Sequence, residues 1–269
     1  MKVLFWNTKN NLQINKILTS LIIENNIDIV VLAEYSDDID TLLSEISTQG
    51  KNMRSFFTSG CKRIKMIGAI ENVQPAWQGA HSSIQIVNDK YILCGVHLIS
   101  KVTSDNDEQR KIRIQRIVQE ILKTEKEIGS DFSIIVGDFN LEPYEYGMVG
   151  APYFHSIPIY KEAVRKFREV SEEKYYMFYN PMWNFFGDFK KPYGTHYYNQ
   201  GTNCTYWSIL DQVIIRPSIR KSFVDKSLKI VTKTQKYRLL DNNGHPNINI
   251  SDHLPIIFEI KENYDEKQI

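Results

Sequence analysis

The sequence predicts a single α/β domain, on three observations. Short runs of β-branched and aliphatic residues alternate with longer stretches whose apolar residues recur at helical spacing. At 269 residues the chain is long enough to bury a sizeable core and sits at the upper end of one domain. No internal repeat, low-complexity tract or linker divides it.

The elements follow in order. Val3 to Trp6 reads as a strand ending at Asn7, and Leu12 to Ile23 as a helix with Leu12, Ile14, Ile17, Leu18, Leu21 and Ile22 on its apolar side. "IDIVVLAEY" is a buried strand ending at Glu34, followed by a helical stretch through Leu42, Leu43 and Ile46. "RSFFTSG" and "RIKMIGAI" read as two strands separated by Gly60. "SSIQIVNDKYILCGVHLI" reads as a hairpin around Asn88-Asp89, its second strand running to His97. A polar loop, Lys101 to Glu108, leads into an amphipathic helix through Ile112, Ile117, Val118, Ile121 and Leu122. In "IIVGDFNLEP" a buried strand ends in Asp138 and Asn140, with Phe139 pointing the other way, so both polar side chains can face one site. Tyr175 to Trp207 has the composition of ordered loops. "SILDQVIIRP" is a strand broken by Pro217, and "SDHLPIIFEI" is the last one. The domain is placed at 1–262, with 263–269 a charged, frayed tail.

Bulk properties narrow the function classes. A formal net charge of +1 provides no global basic field, so a polyanion must be held by a local patch. Cys61, Cys94 and Cys204 are too few and too scattered for a disulfide framework or a zinc site, and read as buried thiols in a reducing compartment. The apolar run in "MKVLFWNTKN" stops at Asn7, too short for a signal-peptide core, and no stretch approaches a membrane span. A cytoplasmic protein without an obligate protein partner is the expectation.

The chemistry sits at the strand borders. Asn7 follows "VLFW", Glu34 follows "IVVLA", His97 follows "ILCGV", Asp138 and Asn140 follow "SIIVG", Asp211 follows "SIL", and Asp252-His253 precede "LPIIFEI". Any one of these, taken alone, is more often a satisfied structural group, and Asp138 with Asn140 reads equally well as a turn. Six together are a pattern. Hard oxygen donors of this kind suit Mg²⁺ or Mn²⁺, and Mg²⁺ is commonly held by one or two carboxylates plus substrate phosphates.

The ordered set "FWN", "LAE", "GVHL", "GDFN", "LDQVII" and "SDHLP", from Asn7 to Pro255, resembles the endonuclease/exonuclease/phosphatase (DNase I-like) superfamily. The resemblance implies a four-layer α/β sandwich, two mixed β-sheets packed face to face with helices outside, and a site at one edge of the sheets. It implies that Glu34 is the principal Mg²⁺ ligand, with Asn7 and Asp252 close to the metal and Mn²⁺ able to substitute. His253 would contact phosphate or take a proton from the attacking water, with Asp211 buried behind it. Asp138 would orient or deprotonate that water, Asn140 would donate to the phosphate, and His97 would sit on the leaving-group side as phosphate ligand or general acid. Many members carry an acidic or amide residue two positions after the first asparagine. Here that position is Lys9, which implies a one-metal site and offers a phosphate contact.

Two stretches bear on substrate. Arg216 to Arg238 carries eight basic residues against Asp225 alone, either a grip for a phosphate backbone or a solvated face. The aromatic stretch before Asp211 holds Tyr179, Trp183, Phe186, Tyr193, Tyr197 and Trp207, which either stack bases or pack the loops. His196, in the same stretch, reads as structural. The leading expectation is a metal-dependent nuclease acting on DNA or RNA, with Lys9 and Trp207 as substrate contacts. A small-molecule phosphatase or phosphodiesterase using the same site is the alternative.

Overall fold

The computed structural model describes residues 1–101, 107–200 and 205–261. Cys204, most of the polar loop before the long helix, and the charged tail lie outside the described residues. Six strands form one sheet, in the order Lys229–Ile230, Ile256–Glu259, Lys2–Asn7, Ile29–Ala33, Ile64–Gly68, Arg54–Ser55. Seven form a second, in the order Val73–Gly79, Ser82–Val87, Tyr91–His97, Phe132–Asp138, Asp211–Ile215, Phe178–Tyr179, Ser156–Ile157. Both sheets are mixed. Lys2–Asn7 runs parallel to Ile29–Ala33 and antiparallel to Ile256–Glu259, and Phe132–Asp138 runs parallel to Tyr91–His97 and antiparallel to Asp211–Ile215.

The period of two along each central strand sorts side chains between two cores. Leu93, Ile134, Val136, Val213 and Ile215 join the core between the sheets, with Val3, Phe5 and Val31 of the first sheet. Ile92, Cys94, Val96, Ile135 and Ile214 point the other way, where they meet Ile114, Ile117 and Ile121 of the Asp107–Ile128 helix. Helices Asn15–Asn25 and Ile39–Thr48 add Leu18, Leu21, Ile22, Leu42 and Ile46 to the apolar packing of the first sheet. Strands buried on both faces read as continuous apolar runs, which is why these were legible. Gly95 lets the two sheets close on each other, since a Cβ there would meet Met66 Cε at 2.6 Å and Val31 Cγ1 at 2.8 Å. Four layers result: helices, sheet, sheet, helix. No helix among the described residues is long and apolar enough to cross a membrane.

Several elements differ from the sequence expectation. The first helix starts at Asn15, because Lys9 and Asn10 form a left-handed turn (φ 52° and 53°) and leave Leu12 exposed. "RSFFTSG" contributes only Arg54–Ser55 to a sheet, while the unforeseen strand Val73–Gly79 absorbs Pro75 on a sheet edge, beside an irregularity in its pairing. The aromatic stretch contains a two-stranded ribbon, His196–Tyr198 paired with Tyr206–Ser208. The predicted Asn88-Asp89 turn is present, both residues at φ 53°.

Candidate active site

The strand parity that sorts the core also builds the site. Continuing each inter-sheet register to its end carries Leu93 to His97, Ile134 and Val136 to Asp138, and Val213 back to Asp211. Asp138 is directly opposite both His97 and Asp211 in the sheet ladder. From the facing sheet, Val3 and Phe5 lead to Asn7, which stands beside Ala33 at the end of its neighbour. The polar ends of four strands therefore converge on one end of the gap between the sheets.

At the centre is the carboxylate of Asp138, fully buried. One of its oxygens accepts from Asn7 Nδ2 at 3.0 Å and stands 3.7 Å from His97 Nε2 and 3.9 Å from His253 Nε2. The other accepts the Asn140 backbone N–H at 2.9 Å. Behind His253, Nδ1 donates to Asp211 at 2.8 Å. The Asp211 N–H in turn donates to the Thr195 hydroxyl at 3.1 Å. Trp6 Nε1 donates to the His253 carbonyl at 2.9 Å, and the Ser251 hydroxyl donates to the Asn7 carbonyl at 2.7 Å while accepting the His253 N–H at 3.1 Å. The imidazole is thus fixed from its backbone as well as from its ring.

Burial and charge set the protonation pattern. Burial opposes a charge on His253, but the carboxylates of Asp211 and Asp138 prevail and push its pKa up to about 10. Burial pushes Asp138 above the usual carboxylate range, against the pull of His253. His97 goes the other way: burial lowers it to about 4, although Asp138 favours its charged form. His196, its ring 4.7 Å from that of His253 and its backbone bridged to His253, is lowered to about 4 by burial and by the His253 charge.

Glu34 occupies the rim. It follows its strand in the left-handed region (φ 47°), costly for a residue with a side chain and held there by its surroundings. The Thr8 hydroxyl and Asn10 N–H both donate to its carbonyl, at 2.8 and 2.7 Å. Asn10 Nδ2 reaches its carboxylate at 3.1 Å, and His97 Nε2 stands 3.4 Å from the other oxygen. Lys9, Asn10, Glu34 and Asn140 are four of the twelve non-glycine residues with positive φ among the described residues. Of these, Lys9 and Glu34 are the ones whose side chains do not favour the conformation, and their hydrogen-bonded turns hold them there.

The donor set suits a divalent cation. Donor atoms of Asp138, Asp211 and His253 lie within 4.8 Å of one another, close enough to hold a metal ion. Two of them, however, are already joined by the His253–Asp211 hydrogen bond, so we read that group as a charge pair. Glu34 and Asn7 offer hard oxygens instead: a half-buried carboxylate at the rim, and an amide oxygen that accepts the Lys9 N–H at 3.1 Å with a second lone pair to spare. Asp252 Oδ2 is turned to the Lys9 ammonium, 3.3 Å away.

No family model and no curated protein sequence matches this chain. Solved structures do. A 3′-5′ exonuclease from Neisseria meningitidis superposes with a TM-score of 0.55 at 15% identity, covering 97% of this chain and 100% of its own. The fold is DNase I-like. An AP endonuclease from Archaeoglobus fulgidus (TM-score 0.55, 11% identity) and an endonuclease/exonuclease/phosphatase family protein from Leptotrichia buccalis (TM-score 0.55, 14% identity) each cover 97% of the chain and 99% of their own.

Within this DNase I-like frame, Asn7, Glu34, His97, Asp138, Asp211 and His253 lie together. Asn140 is beside them, but its side-chain amide donates to the Leu98 carbonyl at 3.0 Å. Trp207 is half-buried against Tyr193 and Tyr197, 6.1 and 5.4 Å between ring centroids, and Tyr197 stacks on His245 at 3.6 Å. The basic stretch does not act as one grip. Arg216 is buried, its guanidinium paired with Glu125 at 2.7 and 3.2 Å and set over Phe178, and Arg220 pairs with Asp225 at 2.6 Å. Sequence reading missed Thr8, Asn10, Thr195 and Ser251; only turn-forming composition flags "NTKNN" and "NIS".

Proposed function

We propose that this protein is a metal-dependent phosphodiester hydrolase, and most concretely a nuclease acting on DNA or RNA. The observation that carries the reading is the arrangement at the gap: Asp138 central, the hydrogen-bonded His253–Asp211 pair on one side, His97 and Glu34 on the other. In this reading Asp138 takes the proton from the attacking water, because its Oδ2 is steered by Asn7 and is the one carboxylate oxygen common to all three neighbours. Asp211 keeps His253 protonated, so His253 presents Nε2–H to the negative phosphoryl oxygens and stabilises charge as it builds. His97, held neutral, offers Nε2–H on the opposite side as a hydrogen-bond donor to the leaving oxygen, which takes its proton from solvent. Mg²⁺ or Mn²⁺, held by Glu34 and Asn7, would supply Lewis-acid polarisation of the phosphate.

The polynucleotide assignment has two supports. Aromatic rings of Tyr197, Trp207 and His245 pack together on the ribbon that delivers His196 to His253, a surface of the kind on which bases stack. A similar structure, at 15% identity, is a 3′ phosphatase from Neisseria bound to product DNA hairpin. The test is a cleavage panel of single- and double-stranded DNA, RNA and small phosphoesters with Mg²⁺, Mn²⁺ or EDTA, run beside Asp138→Ala. Metal-dependent polymer cleavage, lost in the variant, is the expected result. Release from a small phosphoester alone would move the protein to small-molecule phosphodiester or phosphomonoester hydrolysis.

A further inference from the structure

Resting on that reading, we infer that Arg63 and Arg113 form a second phosphate subsite on the His97 side of the centre, where they take the phosphate that follows the leaving oxygen along a polynucleotide strand. Sheet register brings Arg63 there. The Ile29–Ala33 and Ile64–Gly68 ladder ends with Ala33 opposite Ile64, and one residue beyond that pair stand Glu34 and Arg63. In the second sheet the corresponding last pair is Ser82 with Val96. One step further, the His97 N–H donates to the His81 carbonyl at 2.9 Å, and His81 Nδ1 donates to the His97 carbonyl at 3.0 Å. His97 Nε2, 3.4 Å from Glu34, joins the two sheets at this rim. Arg63 and His81 therefore flank the Glu34–His97 contact, one from each sheet.

The long helix brings Arg113. Arg110 Nε donates to the Ile99 carbonyl at 3.1 Å, which ties the start of Asp107–Ile128 to the chain two residues after His97. Arg113 follows three residues later, on the same face of the helix. The charges of Arg113 and Arg63 both disfavour a second proton on His81, and Arg63 acts in the same sense on His97. What this rim lacks is acceptors. Arg63 is exposed, and its guanidinium has no ion pair or hydrogen bond among the described residues, Glu34 across the ladder included. Arg113 Nε and Arg110 Nη2 are buried and find no acceptor. By contrast, all three guanidinium nitrogens of Arg216 are spent, two on Glu125 and one on the Met177 carbonyl. Buried donors are nearly always satisfied, and an arginine fork matches phosphate oxygens in charge and in geometry.

The test measures dinucleotides as competitive inhibitors of polymer cleavage. Each has one internal phosphodiester and carries either no terminal phosphate, one at the 5′ end or one at the 3′ end. The end groups left by polymer cleavage show which terminal phosphate lies beyond the leaving oxygen. That phosphate should tighten inhibition roughly tenfold, the scale of charge-assisted hydrogen bonds to one anion. Arg63→Met and Arg113→Gln should each remove most of that gain, while Lys62→Met, exposed beside Arg63, should keep it. Equal inhibition with and without the phosphate, a gain that survives in Arg63→Met, or the same loss in Lys62→Met would each overturn the inference and leave the hydrolase reading in place. No polymer cleavage by the intact protein would overturn the nuclease reading and the subsite with it. Arg63 is exposed, so the Arg63→Met chain keeps its core, and thermal unfolding checks both arginine variants.

Discussion

The two charged groups of the site are built on opposite principles. The inner one, Asp138, Asp211 and His253, is buried: sheet register sets Asp138 opposite Asp211, and His253, held by a bridge to His196, completes it through its hydrogen bond to Asp211. The outer one, Glu34, Lys9 and Asp252, is half-exposed and sits on turns, where left-handed residues and backbone hydrogen bonds do the aiming. Burial makes the inner charges depend on one another. Solvent makes the outer ones adjustable, which suits a place where an ion and a phosphate must arrive and leave.

The inner group should therefore respond most strongly to change. Asp138→Asn removes the proposed base while keeping the volume and the hydrogen bond from Asn140. Turnover should fall by roughly 10²–10⁴. Steady-state rates with the polymer found in the cleavage panel check this, and a variant within threefold of wild type would remove Asp138 from its role.

Asp211→Ala comes next and separates positioning from folding. It strands a buried imidazolium, so it should cost about 3 kcal/mol of stability as well as activity. Asp211→Asn retains an acceptor for His253 Nδ1 and should lose much less stability. If chemical denaturation gives both variants the same midpoint as wild type, the pair does not carry the buried charge assigned to it.

A smaller effect follows from pH. His81, His97, His155 and His196 all have pKa values lowered by burial, the second and fourth to about 4. The unfolded chain takes up those protons near 6.5 while the folded chain refuses them, so stability is lost as pH falls below about 6.5. His253 has the opposite sign: its raised value contributes stability fully present below about 6.5 and lost as pH rises toward 10. His155 lies apart from the site, with Nδ1 3.1 Å from the Tyr175 carbonyl. His155→Gln should flatten only the acid limb of a melting-temperature profile, and Asp211→Asn only the alkaline limb. Acid limbs that coincide in His155→Gln and wild type would contradict the burial argument.

The same contrast explains how much could be read from sequence. Strand-borne residues were legible because a period of two and a polar border are local properties: Asn7, His97, Asp138 and Asp211 fall where "FWN", "GVH", "GDF" and "LDQ" put them. What the turns do was not legible. The clasp of Thr8 and Asn10 on Glu34 joins segments 26 and 24 residues apart, and Ser251 reaches Asn7 across 244. That the ribbon carrying His196 folds over His253 was not legible either, because nothing local shows it. Arg216 looked like part of a basic face since its partner, Glu125, is 91 residues away on the long helix. Composition cannot distinguish a guanidinium that grips a phosphate from one already spent on a carboxylate.

The smallest expected effect lies in the outer group, and it completes the contrast. Lys9→Met removes one member of an ion pair whose side chains remain 43% and 31% exposed. Water solvates both charges there, and a pair of this kind contributes within about 1 kcal/mol. Lys9→Met should therefore shift the unfolding midpoint far less than Asp211→Ala, although both break one contact between a cation and a carboxylate. The measurement is a pair of denaturation curves at low salt and at 1 M salt, where the Debye length falls to about 3 Å. Salt should erase the small Lys9→Met difference and leave the Asp211→Ala difference largely intact. Equal salt sensitivity in the two variants would mean that the two groups share one environment, and that depth of burial is not what divides them.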